Sequence, residues 1–173
     1  MKKSFKSIFI LLFASTLLFL GYQIISRINY KEEVQKNIKT IPEFFYSNVN
    51  GKNFTHDDLK KGTPTLFIYF NTECEYCNEE AKIISKNIVK FKNTEIIFIS
   101  FENSNQIKQF AQKHKLNHHD NVHFLHDSKA SFAITFDVNA LPTIIIYNSQ
   151  KQVIDKIKGQ VKIDHILKKI NKQ

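Results

Sequence analysis

Residues 65–80 read Thr65-Leu-Phe-Ile-Tyr-Phe70-Asn-Thr-Glu-Cys74-Glu-Tyr-Cys77-Asn-Glu-Glu80. The first six are apolar or β-favouring and predict a strand. From Asn78 to Lys92 the pattern is helix-compatible, with Ile83, Ile84, Ile88 and Phe91 recurring at helical spacing to give one apolar stripe. A strand that turns into a helix puts Cys74 at the helix N-terminus. Unpaired backbone N–H groups and the positive dipole end favour a thiolate there, and the thiolate is the form that attacks disulfides. Cys77, about one helical turn on, can close a ring back to Cys74. These are the only two cysteines in the chain. A structural zinc site usually takes four ligands, and no second cysteine pair exists to complete one. A purely structural disulfide gains little from so short a loop. Redox chemistry is the reading that a lone Cys-x-x-Cys beside a βαβ pattern favours.

Outward from this stretch the elements alternate. Glu95-Ile-Ile-Phe-Ile-Ser-Phe101 is a continuous apolar run, the mark of a strand buried on both faces. Ile107, Phe110 and Ala111 mark a helix over 104–116. Val122 to Leu125 predicts a short strand, and 128–136 a helix with Ala130, Ala133 and Ile134 inward. Thr143-Ile-Ile-Ile-Tyr147 is a further strand, and Asn148-Ser149 turns it into Gln152–Ile157. Ile163, Ile166, Leu167 and Ile170 make a closing helix. Upstream, Asn50-Gly51 between two short apolar arms predicts a hairpin. The order predicts an α/β domain with a central mixed sheet, mostly parallel with an antiparallel edge, and helices on both faces.

The N-terminus carries Lys2, Lys3 and Lys6, and from Phe5 to Ile25 the only charge is Lys6. That length suits a helix crossing a bilayer. The lysines place its start in the cytoplasm and the rest outside. The apolar run is long and lacks an Ala-x-Ala-like site, which favours an uncleaved anchor over a cleaved signal peptide. No cysteine lies near residue 20, which argues against a lipoprotein. The expected organisation is a signal-anchor helix at 1–25, a juxtamembrane linker at 26–40 able to form a short amphipathic helix, and the domain at 41–173. Either way the cysteine pair lies outside the cytoplasm, where disulfides are made and broken.

The net charge is +9, from 25 basic and 16 acidic residues, but residues 41–173 hold 18 lysines against 14 carboxylates, a net of +4. Those lysines are scattered without a dense block, so nucleic acid is not an expected partner. His114, His118, His119, His123 and His126 fall in one short stretch, and histidine clusters can bind transition metals. A copper or other metal carrier using the cysteine pair and a histidine is therefore the alternative function. A redox-inert binding module of the same fold is another.

The element order, the corner Phe67-Ile-Tyr-Phe-Asn-Thr-Glu-Cys-Glu-Tyr-Cys77 and the segment Ala140-Leu-Pro-Thr-Ile-Ile-Ile-Tyr147 together resemble the thioredoxin superfamily. The likeness is specifically to its membrane-tethered TlpA-like thiol-disulfide oxidoreductases, and it covers about residues 41–173. The resemblance implies a thioredoxin-like fold with an N-terminal β-hairpin extension behind one transmembrane helix. It assigns Cys74 and Cys77 as the redox disulfide, Glu80 as the carboxylate that handles protons, and Pro142 as the family's cis-proline. Phe70 stands where an aromatic is expected. Phe70, Glu73, Tyr76, Leu141, Pro142 and Thr143 are the implied substrate-binding residues. Glu73 stands where the family has Trp, Tyr76 replaces a common Pro, and Ile68 replaces thioredoxin's buried Asp. Glu73 and Glu75 flank Cys74 and should oppose the helix dipole, so a reductase is expected rather than a strong oxidant. Disulfide exchange needs no cofactor and no metal. The implied partners are a protein disulfide substrate and a membrane electron donor, and the implied location is the periplasmic side of the inner membrane, single-pass.

Overall fold

The computed structural model describes residues 2–171. The chain divides after residue 36 into a helix and a compact domain. Helix α1, Lys2–Asn37, runs without a break through the apolar stretch and the polar one after it. No Pro occurs before Pro42, and Lys, Glu, Gln and Arg in the polar part are good helix formers. The expected short helix at 26–40 is thus a continuation of α1. Apolar side chains such as Phe9, Leu18 and Ile25 are exposed, and the segment Ile8–Asn37 is long and apolar enough to cross a membrane.

The domain carries β1 (Phe45–Asn48), β2 (Asn53–Thr55), β3 (Thr65–Tyr69), α2 (Glu75–Lys86), β4 (Glu95–Ser100), α3 (Ser104–Lys113), β5 (Val122–His126), α4 (Ser131–Thr135), β6 (Thr143–Tyr147), β7 (Val153–Lys158) and α5 (Ile163–Ile170). Its seven strands lie in the order β2-β1-β5-β4-β3-β6-β7. The β1–β2 hairpin turns on Gly51, whose φ of +79° is one that side chains resist. Asn48 Oδ1 accepts the N–H groups of Asn50 and Lys52 across that turn.

Only β3–β4 and β4–β5 are parallel; the other four strand pairs are antiparallel. The expectation of a mostly parallel sheet is corrected accordingly. Alternating helices suggest a parallel crossover at every step. The connection from β5 holds only the five-residue α4, and it delivers β6 to the far edge of β3 running the opposite way.

Strand alternation divides the core between two faces. Leu66, Ile68 and Phe70 pack with Ala81 and Ile84 of α2, Ile107 and Phe110 of α3, and Ile166 and Ile170 of α5. On the other face Tyr69 stacks on Phe132, with ring centroids 5.4 Å apart, and Phe67 lies against Phe132 and Phe136. The inward residues of α4 are therefore Phe132 and its cap Phe136, not Ala130 and Ile134: Ile134 is 70% exposed, and Ala130 is the left-handed residue (φ +50°) that starts the helix. Two phenylalanines four apart outweigh a stripe of small residues in deciding which side of a one-turn helix turns inward.

Candidate active site

Strand β3 is hydrogen-bonded on both sides and ends at a tight corner. Asn71 Oδ1 accepts the Glu73 N–H (2.9 Å), and Asn71 O accepts the Cys74 N–H (3.2 Å). Cys74 is the N-cap of α2, and its Sγ accepts the Cys77 N–H at 3.3 Å. A sulfur thus fills the role that Ser or Asp usually takes at a helix start. Cys74 is partly exposed and Cys77 is buried, both as free thiols. Burial first, and then the Cys74 side chain, push the Cys77 thiol far up. Of the pair, Cys74 is open to solvent and Cys77 is not.

Glu80 lies one turn beyond Cys77 on the same face of α2. It is fully buried. Its Oε2 accepts the Val161 N–H at 3.1 Å, and among the described residues its Oε1 has no partner. Burial raises this carboxyl to about 7, with the Val161 N–H opposing. A group poised near neutrality can take up and release a proton at working pH.

The Leu141–Pro142 peptide bond is cis. Pro142 O accepts the Gly159 N–H (2.7 Å), and Thr143 Oγ donates to Ala140 O (2.7 Å). Beside Leu141 an apolar hollow of about 400 Å³ is lined by Tyr69, Phe101, Ala133 and Val138. A larger cavity of about 540 Å³, beside Pro64, Thr94 and Glu95, contains neither cysteine.

Not every residue expected at the client surface lies there. Glu73 and Tyr76 are exposed and Leu141 is partly so. Phe70 is fully buried, with ring centroids 4.5 Å from Phe110 and 5.7 Å from Phe98, so it builds the core beneath the corner. Pro142 and the Thr143 side chain are likewise buried. Phe70 lies against Phe110 of α3 and the Thr143 hydroxyl is held by Ala140 O, so neither side chain is offered at the surface. The histidines do not converge. His114 binds Asn78, and His123 faces Glu95 and lies against Phe54. Among the described residues no three His, Cys, Asp or Glu side chains come together as a metal-binding group.

Two further polar residues complete the corner, Asn78 within the cysteine stretch and Glu102 outside it. Asn78 Nδ2 donates to Thr72 O (2.8 Å) and Cys74 O (2.9 Å), and its Oδ1 accepts from Lys113 Nζ and His114 Nε2. Glu102, in the loop after β4, accepts from Thr72 twice. The sequence signal for Glu102 is its position just past the carboxyl end of a central strand, where sites of open α/β sheets gather.

Fold and site together define a redoxin of thioredoxin fold, TlpA-like in its cysteine corner and cis-proline loop. The chain belongs to the AhpC/TSA family, whose model matches residues 38–156. It is 26% identical over 146 residues to the thiol-disulfide oxidoreductase ResA of Bacillus thuringiensis subsp. konkukian, covering 81% of this chain and 82% of that one. Among solved structures it is similar to a secreted Mycobacterium tuberculosis disulfide oxidoreductase homologous to E. coli DsbE, with TM-score 0.63, 18% identity, and coverage of 73% of this chain and 92% of that one. It is also similar to StoA from Bacillus subtilis, with TM-score 0.59, 14% identity, and coverage of 76% and 98%.

Proposed function

We propose that the chain is a membrane-anchored thiol-disulfide oxidoreductase that reduces disulfides in proteins outside the cytoplasm. The observation that carries this reading is the asymmetry of the two sulfurs: one accessible at the cap of α2, one buried a helical turn before a half-satisfied carboxyl.

The Cys74 thiolate attacks one sulfur of a client disulfide. The client's S–S bond breaks, a mixed disulfide forms, and the departing client sulfur takes a proton. Cys77 then gives up its proton towards Glu80 and attacks Cys74. The second client sulfur leaves as a thiol, and two electrons have passed from the cysteine pair to the client. The client segment lies across Glu73 and Tyr76 on one side and Leu141 with the backbone of Pro142 on the other. A membrane electron donor returns the pair to the dithiol, and helix α1 holds the domain at the outer face of the membrane. The reducing direction is supported by Glu73 and Glu75, whose charges flank the reactive sulfur and disfavour a strongly oxidising pair.

The test is to express the Cys77→Ala chain in cells and isolate mixed disulfides on Cys74. A client protein released by dithiothreitol, and absent from the Cys74→Ser control, is the expected result. No Cys74-linked protein, or equal capture through Cys77 in the Cys74→Ser chain, would overturn the assignment. A measured reduction potential near that of strong oxidants, about −120 mV, would overturn the reducing direction.

A further inference from the structure

Glu102 is 9% exposed and stands outside the cysteine stretch, yet both its oxygens are committed to it. Oε2 accepts the Thr72 N–H at 2.6 Å, and Oε1 accepts the Thr72 hydroxyl at 2.8 Å. The Ser100 hydroxyl donates to Oε2 (3.1 Å) and itself accepts the Glu102 N–H (3.2 Å), which locks the carboxylate onto the end of β4. The Thr72 carbonyl is held separately by Asn78. Every polar group of Thr72 is therefore engaged, two residues before the reactive sulfur.

We propose that Glu102 is a positioning residue for Cys74, a two-pronged clamp that fixes the β3–α2 corner through Thr72. This rests on the reading of Cys74 as the attacking thiol. In contrast to Glu80 with its unpartnered Oε1, Glu102 has both oxygens occupied. Its two bonds to one residue restrain both the direction and the rotation of the chain entering the helix, as a bidentate contact does and a single bond does not. The buried negative charge also lies close enough to Cys77 to add to the upward push on that thiol. Small displacements of a reacting group cost large factors in rate, so the effect of losing the clamp is read in turnover.

The experiment compares the full chain in detergent with Glu102→Ala, Glu102→Gln, Thr72→Val and the Glu102→Ala/Thr72→Val double variant. Two readouts are taken on each: kcat and KM for insulin disulfide reduction with dithiothreitol as reductant, and iodoacetamide alkylation of Cys74 in the Cys77→Ala background. Expected for Glu102→Ala is a loss of about tenfold in kcat and in alkylation rate with KM unchanged. Glu102→Gln recovers most of this, since the carboxamide can accept the Thr72 N–H and donate to its hydroxyl. The double variant falls no further than Glu102→Ala. Thr72→Val alone, which removes one prong, slows both readouts by about threefold.

The inference is overturned if Glu102→Ala remains folded and matches the wild type. It is equally overturned if Glu102→Gln is as slow as Glu102→Ala, or if the two losses multiply in the double variant. Should Glu102→Ala fail to fold, a wild-type rate in Thr72→Val overturns it and the threefold loss upholds it. Wild-type protein unable to reduce insulin would sink the oxidoreductase reading alone, because the alkylation rates still decide the clamp.

Discussion

Replacing Glu80 by Gln separates the cost of a buried charge from the benefit of a buried hydrogen bond. Burial raises the Glu80 carboxyl from 4.5 to about 7. A carboxyl raised on folding holds its proton more tightly in the folded state than in the unfolded chain. Between those two values the folded state binds more protons, so stability falls as pH rises through that window and levels off above it. At about 1.4 kcal/mol per pH unit, the full cost is about 3 kcal/mol. The carboxamide introduced by Glu80→Gln cannot ionise and escapes that cost. It does place an amide N–H₂ where Oε1 has no partner, a penalty of about 1–2 kcal/mol.

The variant should therefore be less stable than wild type at pH 5 and more stable at pH 8, with the difference moving by about 2.5 kcal/mol across the range. Asp58, Glu79 and Asp155, all held below the usual carboxylate range by hydrogen-bonded partners, lose stabilisation in acid in both proteins and cancel in the difference. The assay is urea unfolding in detergent at half-unit pH steps, followed by far-UV circular dichroism because the chain has no tryptophan. A difference independent of pH would refute the reasoning, since Glu80 would then titrate alike in both states. The same substitution should flatten the pH dependence of turnover near neutrality, where the carboxyl ceases to accept the Cys77 proton.

Further outcomes follow from the packing. Phe70→Ala should cost about 3–5 kcal/mol in chemical denaturation, because the ring is fully buried among Phe98, Phe110 and Phe124. Phe132→Ala should cost a similar amount, while Ile134→Asp on the same helix should change stability by less than about 0.5 kcal/mol; equal losses would put the phase of α4 in error. Asp127→Ala should destabilise by about 2 kcal/mol, since it strips the buried Phe132 N–H (2.7 Å) and the Ser131 hydroxyl (2.9 Å) of their acceptor. Cys74→Ser should abolish insulin reduction and leave the urea midpoint close to wild type, because a hydroxyl can also cap α2.

The parts legible in the sequence were those where one physical demand governs a whole segment. β3, β4 and β6 are buried on both faces, and only uninterrupted apolar runs such as Leu66–Phe70 and Ile96–Ile99 satisfy that. The cysteine corner was legible because two residue types at one spacing carry the chemistry, and Glu80 because helical spacing places it beside Cys77. What the pattern could not reveal depends on which partners meet in space. The direction of β6 depends on how a long loop crosses the sheet. The burial of Phe70 depends on α3 lying over it. The contact of Glu102 with Thr72 depends on a loop 30 residues away closing on it, a hydrogen bond that leaves no trace in local periodicity.

Strand β3 is laced to β4 on one side and β6 on the other along its whole length. Cys74 thus follows a strand that is paired on both sides. The stretch from Asp127 to Leu141 is held differently. That stretch has a one-turn helix bracketed by two strained joints, Ala130 and Asp137, each with positive φ. The corner that carries Cys74 is thus anchored by a fully laced strand, while the facing stretch is joined to the sheet through two left-handed residues.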